Sequence, residues 1–168
     1  DRFLETVPAR HRSLVSPGSL RLGLCAGEPS GDILAGAILR SWRAQTPALE
    51  MSGIGGEQAI RAGLESCAPM ERLSVMGLFE PLKRLPELLS IRRELIAQQI
   101  ALRPNLFIGV DSPDFNLPVE RRLKAAGIPT AHLVSPSIWA WRQGRIRAIR
   151  NAVDKMPVSY THLRAHET

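Results

Sequence analysis

The sequence predicts an α/β protein, a Rossmann-like parallel sheet with helices on both faces. Three observations carry this. Leu106–Val110, L-F-I-G-V, is an apolar run between Pro104-Asn105 and Ser112-Pro113. Such a run reads as a strand buried on both faces. Strand-like and helix-like stretches alternate along the rest of the chain, the rhythm of a parallel sheet. Asp111 follows the apolar run at once, which puts a carboxylate at the edge where open α/β sheets bind their ligands.

The elements follow in order. Residues 1–19 are polar, with Pro8, Pro17 and Gly18, and read as a flexible lead-in. Leu20–Ala26 is the first strand. Gly27–Asp32 is a loop, and Ile33–Ala44 has apolar residues at helical spacing, with Ser30 as its N-cap and Pro47 as its stop. Leu49–Ile54 is the second strand, Gly55-Gly56 a turn, Gln58–Ala62 a short helix and Leu64–Ala68 a weak strand. Leu73–Leu102 is helical, interrupted by Pro81 and Pro86. After the central strand, Leu117–Ala126 forms a helix capped by Asp114 or Asn116 and closed by Gly127 and Pro129. Thr130–Val134 is a strand, Ser135–Trp141 a loop and Gln143–Ala152 a basic helix.

Composition narrows the function. The chain has 168 residues, 44% of them hydrophobic and 23% charged, enough for one domain with a core. No apolar run reaches the roughly 18 residues of a spanning helix, and no secretory signal is visible. Cys25 and Cys67 lack metal-ligand spacing and read as free thiols. No metal site and no cofactor site is expected. The net charge of +6 suits an anionic partner. Nucleic acid fits poorly, because the basic residues are not interleaved with aromatics except at Trp139–Arg142.

Four stretches offer chemistry, each with a structural alternative. Gly27, Glu28, Ser30, Gly31 and Asp32 join a strand to a helix. That loop is either a ligand cradle at a helix start or a tight capped turn. Its sequence is neither G-x-G-x-x-G nor a P-loop, and Glu28 and Asp32 suit sugar hydroxyls better than phosphate. Asp111 is a candidate general base, whereas Asp114 reads as a cap. Ser135, Trp139 and Arg142 lie in a loop on the same edge and suit a sugar or ring, or else core packing. His132 reads as a core or wall residue. The stripe Leu78, Phe79, Leu82, Leu85, Leu88 and Leu89, beside Lys83, Arg84, Arg92 and Arg93, is either core or a surface for an anionic membrane.

Taken together, A-G-E-P-S-G-D (26–32), S-V-M-G-L-F-E (74–80), G-V-D-S-P-D-F-N (109–116) and V-S-P-S-I-W-A-W-R-Q-G-R (134–145) resemble the lipid-A-disaccharide synthase family. The match runs from about Leu20 to about Lys155. It implies the N-terminal, acceptor-binding domain of a GT-B glycosyltransferase. It implies UDP-2,3-diacylglucosamine as donor, 2,3-diacylglucosamine 1-phosphate as acceptor, and a β(1→6) disaccharide phosphate and UDP as products. The resemblance further implies catalysis by inversion, at the cytoplasmic face of the bacterial inner membrane and without a metal. By resemblance Asp111 is the base. Gly27, Glu28, Ser30, Gly31, Asp32, Asn116, Ser135, Trp139 and Arg142 surround substrate, and the 78–89 stripe meets acyl chains or membrane. Pro86 departs from an unbroken amphipathic helix there.

Residues 20–156 are thus expected to be that domain, with the donor domain beyond them. Val158–Thr168 has no apolar periodicity and reads as a translated transposase adapter, so 157–168 is expected to be a non-native tail. Such a chain alone is expected not to transfer sugar. Two alternatives stay open: another GT-B transferase, or a stand-alone lipid- or membrane-binding module.

Overall fold

A computed structural model describes residues 19–73 and 81–133. Its strands are β1 (Arg21–Ala26), β2 (Glu50–Ile54), β3 (Glu65–Ser66), β4 (Leu106–Val110) and β5 (Thr130–Leu133). Its helices are α1 (Pro29–Gln45), α2 (Glu57–Arg61), α3 (Pro81–Leu102) and α4 (Pro113–Ala125), with a 3-10 turn at Met70–Arg72. The strands form one parallel sheet in the order β3-β2-β1-β4-β5. The described strands therefore run from the middle outward, first to one side and then to the other. The order reverses between β1 and β4, and that reversal opens a crevice at their carboxyl ends.

Strand alternation divides the core into two layers. Leu22, Leu24, Ile108 and Val110 pack with Ala35, Leu39 and Ala59 from α1 and α2. Cys25 and Phe107 pack with Ile91, Leu95, Val119 and Leu123 from α3 and α4. Leu24, Leu95, Phe107 and Leu123 are wholly buried, each contributing about 1.5–3 kcal/mol of burial. Gly23 allows the α3 side to close. A Cβ there would stand 2.3 Å from Gln99 Oε1 and 2.6 Å from the Phe107 ring.

Three helix boundaries differ from the sequence expectation, each at a proline. α1 starts at Pro29 with Glu28 in the cap position, so Ser30 sits inside the first turn and makes no side-chain cap. α4 starts at Pro113 with Ser112 before it, so neither Asp114 nor Asn116 is the cap. Proline at the first helical position has φ already set and gives up an N–H that would have no partner. α3 starts at Pro81 and runs without a break through Pro86. Pro118 lies inside α4 and leaves the Asp114 carbonyl without its helical donor. Arg92 of α3 fills that place, with Nη2 donating to Asp114 O at 2.9 Å and the guanidinium over the Phe115 ring. The expected loop 135–141 and basic helix 143–152 lie outside the described residues.

Candidate functional site

The crevice is built from two strand-to-helix turns. β1 delivers Gly27 and Glu28, and β4 delivers Asp111 and Ser112, on neighbouring strands paired Ala26 to Val110. The turns touch: Ser112 Oγ donates to Glu28 Oε1 at 3.2 Å. Gly27 makes the approach possible, while Gly31 leaves ordinary contact distance to Asp111. A Cβ on Gly27 would stand 2.6 Å from Ser112 Oγ, and one on Gly31 would stand 3.6 Å from Asp111 Oδ2. Asp111 therefore lies against the first turn of α1, where backbone N–H groups favour negative charge.

Asp111 and Ser112 both have left-handed backbone, with φ of 50° and 42°. Two consecutive residues with a Cβ in this region are strained, and the surroundings must hold them there. Asn116 does much of the holding. Its Nδ2 donates to Asp111 O at 2.9 Å, Cys25 O at 3.2 Å and Val110 O at 3.3 Å. One buried amide thus ties the ends of β1 and β4 together. Asn116, expected near substrate, is wholly buried, and its amide nitrogen is engaged in this tether. The Asp111 N–H donates to Leu133 O at 2.9 Å, which ties the turn to β5 as well.

Asp32, expected near the acceptor sugar, bonds backbone N–H groups. Its carboxylate is buried and accepts N–H bonds from Gly56 and Ala59 at Oδ1 and from Gln58 at Oδ2. It caps the start of α2 from a distance in sequence and is occupied there. Ser30 and Glu28 are exposed at the crevice mouth.

Sequence reasoning missed Glu120. Its Oε1 lies 2.6 Å from His132 Nδ1, and both side chains are fully buried beneath β4. Burial pushes the Glu120 carboxyl up from its ordinary value, and the His132 hydrogen bond partly offsets this. The clue was legible: Asn116 and Glu120 stand four apart on the same stripe as Val119 and Leu123, polar residues at core positions. His132 is the core residue that its strand position suggested.

Leu85 is exposed on α3, and Leu88 and Leu89 are half-buried. Leu78 and Phe79, the Leu82 side chain, and Ser135, Trp139 and Arg142 lie outside the described residues. Further along α3, a groove of about 570 Å³ runs beside α4. Leu89, Ile96, Ile100 and Pro118 line it together with Arg92, Arg93, Arg121 and Arg122. Arg72 holds the Glu87 carboxyl below its ordinary value through a 2.7 Å hydrogen bond. Cys25 is buried and Cys67 partly buried, and the two do not form a disulfide. Among the described residues no helix is long and apolar enough to cross a membrane, and no three His, Cys, Asp or Glu side chains group to hold a metal.

Residues 22–158 match the family model for lipid-A-disaccharide synthetase. The chain belongs to the lipid-A-disaccharide synthetase family. This is a family of glycosyltransferases, and the Rossmann-like sheet is the fold expected of its N-terminal part. Lipid-A-disaccharide synthase of Alkalilimnicola ehrlichii is 52% identical over 141 residues, which is 84% of this chain and 37% of that protein. The synthase of Azotobacter vinelandii is 55% identical over 83% of this chain and 37% of its own length. That of Pseudomonas fluorescens is 56% identical over 82% and 37%. The chain thus spans little more than a third of the length of these synthases.

Proposed function

We propose that the full-length protein containing this chain is a lipid-A-disaccharide synthase and that Asp111 is its general base. The donor is UDP-2,3-diacylglucosamine and the acceptor 2,3-diacylglucosamine 1-phosphate. Asp111 takes the proton of the acceptor 6-hydroxyl as that oxygen bonds to the donor's anomeric carbon. The bond from that carbon to the diphosphate breaks on the opposite face, and UDP leaves with its electron pair. The configuration inverts. The observation that supports this most is the position of Asp111: a strained turn at the sheet's switch point, with its N–H held by β5 and its carbonyl by Asn116 of α4. Glu28 and Ser30, exposed beside it, contact acceptor hydroxyls, and Gly27 and Gly31 keep the approach open. Ser135, Trp139 and Arg142 complete the substrate site.

The acyl substrates place the enzyme at the cytoplasmic face of the inner membrane. Leu85 and Leu89, and the arginines of the α3–α4 groove, support docking to an anionic bilayer there, whereas Leu88 packs against the core. Leu78, Phe79 and Leu82, by the family resemblance, meet acyl chains or membrane as well.

The test is Asp111→Asn in the full-length protein. Turnover of the acylated substrates should fall by a factor of about 10²–10⁴ with the fold retained. Near-normal turnover by a folded variant removes Asp111 as base.

A further inference from the structure

We propose that Glu120 and His132 form a positioning pair for Asp111, one that acts across Gly109 to hold the Asp111–Ser112 turn. The inference rests on the assignment of Asp111 as base, and it concerns residues that touch no substrate.

The geometry starts at Gly109. A glycine in the interior of a buried strand weakens it unless something must come close. Here a Cβ would stand 2.0 Å from Glu120 Oε1, 3.0 Å from His132 Nδ1 and 3.0 Å from Asn116 Cβ. The missing side chain is the space through which α4 reaches β5. Gly109 pairs directly with His132 in the sheet. The next residue after His132 is Leu133, whose carbonyl accepts the Asp111 N–H. One turn before Glu120 on α4 is Asn116, whose amide holds the Asp111 carbonyl. Glu120 and His132 are thus each one step from a hydrogen bond to the Asp111 backbone, one on its N–H and one on its C=O.

A plain packing role fits these facts less well. Two buried ionisable groups carry a desolvation penalty that apolar side chains of similar volume avoid. Among the described residues Glu120 Oε2 and His132 Nε2 have no hydrogen-bond partner. What a short Nδ1–Oε1 contact adds is a fixed distance between α4 and β5, the two elements that grip Asp111 from either side. A strained turn needs that rigidity. A displacement of a reacting group by about 1 Å can lower turnover by about 10²-fold.

The experiment uses the full-length synthase with three variants. Glu120→Gln keeps an oxygen to accept from His132. Glu120→Leu removes the bridge. Glu120→Leu with His132→Leu removes both partners and leaves no orphaned charge, so it stays informative if the single Leu variant does not fold. Two quantities are read: kcat against KM for the acceptor, and hydrogen exchange of the Asp111 amide against the β4 amides.

The Leu variants should lose about tenfold or more in kcat with acceptor KM within about twofold. Their Asp111 amide should exchange at least about tenfold faster while β4 stays protected. Glu120→Gln should restore both. Unchanged kcat and Asp111 exchange in the Leu variants overturn the proposal. So does exchange that rises uniformly along β4 and β5, or a Gln variant as impaired as the Leu variant. If Asp111→Asn proves active, the base assignment falls, but the exchange arm still shows whether the pair holds the turn.

Discussion

Asp32 Oδ1 accepts the Gly56 N–H at 2.8 Å, across 24 residues of sequence. With Gln58 and Ala59 as further donors, the carboxylate answers the unpaired N–H groups that open α2. The first turn of α1 is thereby locked to the end of β2. Gly56 has no room for a side chain here, since a Cβ would stand 2.6 Å from Asp32 Oδ2. Asp32→Ala leaves three backbone donors without their charged acceptor. We expect a loss of about 2–4 kcal/mol in urea unfolding. A loss under about 0.5 kcal/mol, the range of an ordinary surface change, would return Asp32 to the pool of substrate contacts.

Gly109→Ala should destabilise the protein by about 1–3 kcal/mol, the usual penalty of overpacking. The added methyl collides with the Glu120 carboxylate and the His132 ring edge. Combined with Glu120→Ala, the same substitution should be much milder than the sum of the two. A double-mutant cycle in urea measures this, and strict additivity would show that the collision is relieved elsewhere.

The pH dependence of stability should carry the mark of Glu120. Its folded carboxyl sits above the ordinary value of 4.5, chiefly through burial. A group raised in this way contributes its stability at low pH and loses it as pH climbs through the folded value. Glu120→Gln does not titrate. The variant should therefore gain on the natural protein as pH rises from the carboxylate range toward neutrality. Cys25, pushed up by burial and by the neighbouring Cys67 and Glu120, stays a thiol over that range. Urea midpoints at stepped pH test this, and a gap that stays constant contradicts it.

Arg93, Arg121 and Arg122 are exposed along the α3–α4 groove, and among the described residues no acidic one lines it. Replacing all three by Gln should weaken binding to vesicles rich in anionic phospholipid by ~100-fold, at roughly 1 kcal/mol per cation. The effect should shrink at high salt. Arg92 is left alone, because it supports the Asp114 carbonyl. Equal vesicle binding by the triple variant would move the membrane contact elsewhere on the protein.

The sequence by itself determined the class of fold, the strand that carries Asp111 and the family. These depend on short-range patterns: an apolar run, a helical repeat, a carboxylate next to a strand end. Proline positions were equally readable, yet their meaning was not. Pro29, Pro81 and Pro113 start helices rather than interrupt them, because a first-turn N–H has no helical acceptor to lose. Tertiary structure alone decided which polar residues face the crevice. Asp32 and Asn116 sit in the motifs that suggested substrate, but each spans a distance in sequence to bind backbone. Glu120 and His132 meet only because parallel pairing sets His132 beside Gly109. Such contacts are invisible to local pattern, since the partner that satisfies a buried polar group is chosen by strand order and helix packing rather than by its neighbours in the chain.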